Sequence, residues 1–150
     1  MQAGFDPAVG FFDRKNYRRY APEVQYAPRP RSRFVRRLVF RTSEDFYTDL
    51  QNKMESIVGE IGVFVDFHSG DGARFLAYPT YDRLTKNFTT QTGLNTSVTL
   101  PSGNEYTFTR YRFQIATASR RMLSTTTTYE VGPYYSGNRR NFAWRIGLRP

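Results

Sequence analysis

The chain has 150 residues, with 22 lysine and arginine residues against 13 acidic ones and a formal net charge of +9. It contains no cysteine, which excludes disulfide bonds, thiolate zinc sites and cysteine nucleophiles. No apolar run approaches the roughly 18 residues of a transmembrane helix, and the first ten residues lack the pattern of a signal peptide. Aromatic residues make up 17% of the chain. A basic and aromatic composition is typical of nucleic-acid binders, carbohydrate binders and the walls of outer-membrane β-barrels.

Residues 10–37 combine arginine, tyrosine and proline with scarcely an aliphatic side chain. This composition fits a nucleic-acid-binding arm, in which arginines neutralise phosphates and tyrosines stack on bases. It also fits the rim or the lumen of a membrane barrel, where arginines meet anionic headgroups or inward-facing carboxylates. Composition alone leaves both interpretations open.

Alternation of apolar and polar side chains predicts β-strands along much of the chain, because successive strand residues point to opposite faces. The alternation covers residues 34–42, 57–67, 106–115 and 142–149, and residues 124–131 are β-prone by composition. The charged residues that we expect on a common polar, lumen-type face are the candidates for ligand binding: Glu60, Asp66, Arg110, Arg112, Arg145 and Arg149. The opposite, apolar parities either face lipid or fill the core of a soluble sandwich, since both environments require one dry face.

Turn sequences separate these segments. Ser69–Gly72, Pro101–Asn104 and Ser136–Asn138 each combine glycine with residues that favour turns. The interval from Tyr81 to Leu100 is the least strand-like, and we expect a long loop that can hold a helical turn. The fold class predicted is therefore all-β, an antiparallel meander of about six or seven strands.

The sequence offers little for catalysis. His68, the only histidine, lies beside a turn without neighbouring metal ligands, so no metal site is predicted. Glu60, Asp66 and Asp71 include the two carboxylates that a glycosidase needs, but nothing in the sequence fixes their separation. Neither a phosphate-binding loop nor a nucleophile with its base is visible. We therefore predict that the chain is not an enzyme and has no cofactor.

Several short motifs resemble, in order, a family of bacterial exported proteins catalogued as domain-of-unknown-function 5916. They are GFFDR at 10–14, RRY at 18–20, PRP at 28–30, YDRLTKNF at 81–88, LPSGNEYTFTRY at 100–111, SRR at 119–121 and YEVGPYYSGNRR at 129–140. Two positions depart from the family pattern, Lys86–Phe88 and Pro133–Tyr135. Family members typically carry a domain like the family-9 carbohydrate-binding modules, followed by a predicted outer-membrane barrel.

The resemblance implies that residues 1–150 are a single domain, an open fragment of a larger outer-membrane β-barrel without the carbohydrate-binding domain. It implies an outer-membrane location, with any signal peptide outside this chain. It also implies three partners, namely membrane lipid, the remainder of the barrel and a carbohydrate-derived ligand. The alternative function is a basic soluble β-domain that binds nucleic acid or another anionic polymer, with nucleic acid as the less favoured partner.

Overall fold

The computed structural model describes residues 17–91 and 96–149, and all of the regular secondary structure in these ranges is β-strand. Six of the described strands are long, with 12 to 15 residues each, and four are short. Within the same ranges there is no helix that could cross a membrane. The strands are β1 (Tyr17–Tyr20), β2 (Glu23–Tyr26), β3 (Val35–Asp49), β4 (Met54–Phe67), β5 (Gly72–Arg83), β6 (Phe88–Gln91), β7 (Ser97–Leu100), β8 (Glu105–Ala116), β9 (Leu123–Tyr134) and β10 (Gly137–Leu148).

Eight of these strands form one antiparallel sheet in the order β1-β3-β4-β5-β8-β9-β10, with β2 also paired to β3. β1 and β2 lie on the same edge of β3, where β1 pairs with residues 46–49 and β2 with residues 40–43. β6 and β7 form a separate hairpin inserted between β5 and β8. Among the described strands nothing pairs with the outer edge of β10, so the sheet is open.

The all-β antiparallel meander predicted from the sequence is confirmed, but the described residues form ten strands and not six or seven. Several strands are also longer than the alternating segments suggested. The alternation at 34–42 belongs to a strand that continues to Asp49, and β10 begins at Gly137, five residues before the alternating segment. The prediction for Tyr81–Leu100 is wrong. β5 continues to Arg83, and the described part of the remaining interval, residues 84–91 and 96–100, contains the paired strands β6 and β7 and no helical turn. Threonine and valine favour this pairing, in which the Thr89 and Thr99 hydroxyls lie 2.9 Å apart.

A small apolar core lies at the end of the sheet where the β6–β7 hairpin sits. Leu84, Leu100 and Phe108 are buried there. The rings of Phe88 and Tyr135 are 5.2 Å apart, which brings the hairpin against the β9–β10 turn. The other buried apolar residues, Val39, Leu76 and Ala118, lie outside this cluster, toward the opposite end of the sheet.

At the opposite end, three connections meet: residues 27–34 between β2 and β3, 68–71 between β4 and β5, and 117–122 between β8 and β9. Hydrogen bonds join them. The His68 amide donates to the Phe34 carbonyl at 2.9 Å, and the Arg120 side chain donates to the Ser69 carbonyl at 2.8 Å. We call this the basic end, for the arginines described below.

Candidate functional site

One face of the sheet is apolar and open. Directly paired residues of an antiparallel sheet point to the same side, so the register identifies the members of each face. We call this side the apolar face. Phe142 and Trp144 of β10 are 65% and 63% exposed there, so no described residue covers them. Its other exposed hydrophobic members are Tyr20, Val24, Tyr26, Phe40, Ile61, Phe75, Tyr111, Phe113, Ile115, Leu123, Tyr129, Ile146 and Leu148.

A single row of cross-strand partners crosses seven strands on the apolar face. It consists of Tyr26, Phe40, Val63, Phe75, Phe113, Tyr129 and Phe142. Phe75 and Phe113 have ring centroids 5.0 Å apart, and the Tyr26 and Phe40 rings stack at 6.5 Å. Six of the seven side chains in this row are aromatic, and the sheet presents them to its surroundings.

The opposite side, the polar face, is organised around ion pairs. Glu130 on β9 is 2% exposed and accepts from Arg110 at 2.7 Å and from Arg112 at 2.7 and 3.1 Å. Arg139 on β10 lies 3.7 Å from the same carboxylate. The guanidinium of Arg112 also lies 4.9 Å from the ring centre of Tyr78, so its charge is shared between a carboxylate and an aromatic ring.

A second group of ion pairs joins β3 to β4. Arg41 pairs with Glu60, and Arg37 binds Asp66 at 2.8 Å. Arg41 also lies 5.0 Å from the ring centre of Phe64, so this group repeats the combination of guanidinium, carboxylate and aromatic ring. Glu60, Asp66 and Glu130 therefore each have an arginine from a neighbouring strand.

The structure places Glu60, Asp66, Arg110, Arg112 and Arg145 on the polar face, while Arg149 follows the end of β10. It does not bring Arg145 or Arg149 to Glu60 or Asp66, whose partners are Arg41 and Arg37. Within the described residues, neither Arg145 nor Arg149 has an ion pair.

Sequence reasoning missed Glu130, to which three arginines converge. Glu130 is the lone acidic residue of the segment 124–131, which could have marked it as a candidate. In the structure it pairs directly with Arg112 and lies on the same face. Arg37 and Arg41 were also missed as candidates, because arginines occur on both parities of residues 34–42. A bulge at Arg36 resolves this, since it shifts the register and places Arg37 and Arg41 on the polar face.

Asp71 joins the β4–β5 turn to the β8–β9 loop at the basic end. Its carboxylate accepts from the Ser69 hydroxyl at 2.7 Å, the Ala118 amide at 2.9 Å and Arg121 at 2.9 Å. The Ser69 hydrogen bond, supported by those from Ala118 and Arg121, holds the pKa of Asp71 below its ordinary value. Charge at this residue therefore stabilises the contact between the β4–β5 turn and the β8–β9 loop.

No group of three histidine or carboxylate side chains gathers as metal ligands within residues 17–91 and 96–149. The structure therefore provides three surfaces for binding, namely an apolar face, a polar face with arginine–carboxylate pairs, and an arginine-rich end. Neither family models, nor curated proteins, nor solved structures gave a match to this chain. Membership of the 5916 family stays a prediction from the sequence motifs, of which residues 10–14 lie outside the described ranges.

Proposed function

We propose that this chain is a membrane-embedded segment of an outer-membrane β-barrel, with its apolar face against lipid and its polar face toward a lumen. The aromatic row that crosses seven strands on the apolar face carries the proposal. A soluble sheet buries such a face against a second layer, whereas a barrel wall presents it to acyl chains and interfacial headgroups. Within the described residues, no second layer covers this face.

Strand length supports the same proposal. A tilted membrane strand needs about 9–11 residues, and the six long strands have 12 to 15. Lipid leaves an unpaired strand edge without hydrogen-bond partners, so the free edge of β10 requires further strands to close a barrel. These strands are the remainder of the barrel in this proposal. Passage of a carbohydrate-derived ligand is the part that rests on the family resemblance alone.

The distribution of arginine favours this proposal over nucleic-acid binding. A single-strand-binding surface places arginines and exposed aromatic rings side by side on one face. Here the exposed rings lie on the apolar face, while Arg37, Arg41, Arg110 and Arg112 lie on the other. The polar-face rings of Phe64, Tyr78 and Tyr134 each have an arginine guanidinium over them and therefore do not offer a free stacking surface.

The single tryptophan of the chain allows a direct test. Trp144 lies on the apolar face of β10, and its indole N–H donates to the Thr125 hydroxyl at 2.6 Å. The chain would be reconstituted into vesicles whose acyl chains carry bromine, which quenches tryptophan on contact. We expect strong quenching of Trp144, and full fluorescence would overturn the membrane proposal.

A matched control moves the tryptophan to the adjacent residue. Ala143 lies on the polar face of the same strand, so the double variant Trp144→Phe/Ala143→Trp reports on the other side of the sheet. We expect brominated lipid to leave this variant largely unquenched. Equal quenching of the two proteins would mean that the chain lies in lipid without the sidedness that the proposal requires.

A further inference from the structure

Charge is distributed unequally between the two ends of the sheet. The basic end holds eight arginines and two carboxylates, those of Asp66 and Asp71. Both carboxylates are already paired, Asp66 with Arg37 and Asp71 with Arg121. The basic end therefore has an excess of positive charge that nothing in the described residues neutralises. Its arginines are Arg29, Arg31, Arg33, Arg36, Arg37, Arg120, Arg121 and Arg149.

Part of this charge surrounds a cleft. The cleft has a volume of about 550 Å³ and is lined by Arg29, Pro30, Arg36, Arg37 and His68. Arg36 lies 3.6 Å from Asp66, farther than the 2.8 Å of Arg37, and Arg29 has no carboxylate partner among the described residues. Two of the three cleft guanidinium groups therefore share the single carboxylate of Asp66, and the third has none among the described residues.

Two backbone hydrogen bonds hold the walls of the cleft. The Leu38 amide donates to the Pro28 carbonyl at 3.0 Å, and the His68 amide donates to the Phe34 carbonyl at 2.9 Å. They fix both ends of the arginine-rich connection 27–34 against β3 and the β4–β5 turn. The guanidinium groups are therefore carried by an anchored loop, which lowers the entropy lost when they order around a ligand.

We propose that this cleft binds the phosphate group of a phosphorylated organic molecule. Guanidinium groups match phosphate oxygens with paired N–H donors, and His68 adds a further donor. The cleft volume lies in the range of small-molecule sites. A smaller cavity of about 190 Å³, lined in part by Arg37, Arg41 and Arg74, continues along the polar face. Arg37 lines both cavities, so arginine side chains extend from the cleft onto the polar face.

This binding site does not depend on the membrane proposal, because the cleft lies at the basic end and contains no residue of the apolar face. The phosphate can belong to a soluble molecule or to a lipid headgroup. The test uses the full chain in uncharged detergent, where bilayer insertion is not needed, and titrates it with inorganic pyrophosphate by calorimetry. A second arm measures co-sedimentation with phosphatidylcholine vesicles with and without phosphatidic acid.

Two double variants of equal charge decide the outcome. Arg29→Gln/Arg36→Gln removes two cleft arginines and leaves the Arg37–Asp66 pair, while Arg83→Gln/Arg140→Gln acts at the other end of the sheet. We expect at least a tenfold loss of pyrophosphate affinity in the first variant only. If pyrophosphate does not bind, and only the first variant loses co-sedimentation with phosphatidic acid vesicles, the phosphate belongs to a lipid headgroup. Absence of binding in both arms, or equal loss in both variants, would overturn the proposal.

Discussion

The Glu130 carboxylate and the Arg112 guanidinium form a paired contact between β9 and β8, with two N–H groups donating to Oε2 at 2.7 and 3.1 Å. Arg110 donates to the other oxygen at 2.7 Å. One nearly buried carboxylate therefore holds two guanidinium groups from the neighbouring strand. Arg139 adds a third from β10. This residue ties three adjacent strands together on the polar face.

We expect Glu130→Gln to destabilise the fold by about 2–4 kcal/mol, because it leaves clustered guanidinium groups without their counter-charge. The value lies toward the low side for a buried pair because the Arg112 and Arg139 side chains remain partly exposed to solvent. Denaturant unfolding in detergent measures the change. Glu23→Gln on exposed β2 is the control, and we expect it to change stability by less than about 0.5 kcal/mol. Equal effects of the two substitutions would contradict the central role of Glu130.

Adjacent residues on β10 distinguish lipid from water around the apolar face. Phe142 and Asn141 are both exposed and lie near the middle of the strand on opposite faces. In a bilayer, Phe142→Arg should cost about 2–4 kcal/mol, whereas a lumen-facing Asn141→Arg should be tolerated. In water both exposed substitutions should fall within about 0.5 kcal/mol of the parent. The comparison is made by unfolding titration in vesicles, and similar costs for the two variants would argue against a lipid-facing apolar face.

Gly132 marks a close approach between β9 and β8. Its φ is +150°, and a Cβ there would lie 2.8 Å from both the Arg110 Cα and the Thr109 carbonyl oxygen. We expect Gly132→Ala to destabilise the sheet by about 1–3 kcal/mol, since backbone must move to admit the methyl group. Gly72→Ala is the matched control on β5, where the nearest atom is 3.5 Å away. Unfolding curves for both variants test this, and a neutral Gly132→Ala would mean that the two strands separate at low cost.

Alternation was sufficient to predict β4, β8 and β10 and their faces, because one dry side leaves a period of two in the sequence. The apolar parity of residues 57–67 became the apolar face of β4, and Glu60 and Asp66 lie together on its other side. The partners of these carboxylates were not predictable in the same way. Pairing Glu60 with Arg41 requires the register of β3 against β4, and that register depends on the bulge at Arg36.

The β6–β7 hairpin was missed for a related reason. Its strands have four residues each, too few for alternation to distinguish them from a loop. The aromatic contacts that hold it, between Phe88 and Tyr135 in particular, join residues far apart in the chain. Local sequence cannot show such contacts. Likewise, the basic end is assembled from three connections whose proximity follows only from the strand order.

Acid should loosen the contact between the β4–β5 turn and the β8–β9 loop. The pKa of Asp71 is lowered in the folded protein, first by the Ser69 hydroxyl and then by Ala118 and Arg121. A lowered pKa means that the contact stabilises the fold at neutral pH and is lost as pH falls through the folded value. Asp71→Asn should therefore be less stable than the parent at neutral pH, and the difference should shrink toward zero in acid. Unfolding titrations of both proteins across this range, with the Ala118 amide proton shift as a local probe, measure it. A stability difference that is constant with pH would show that the Asp71 charge does not stabilise this contact.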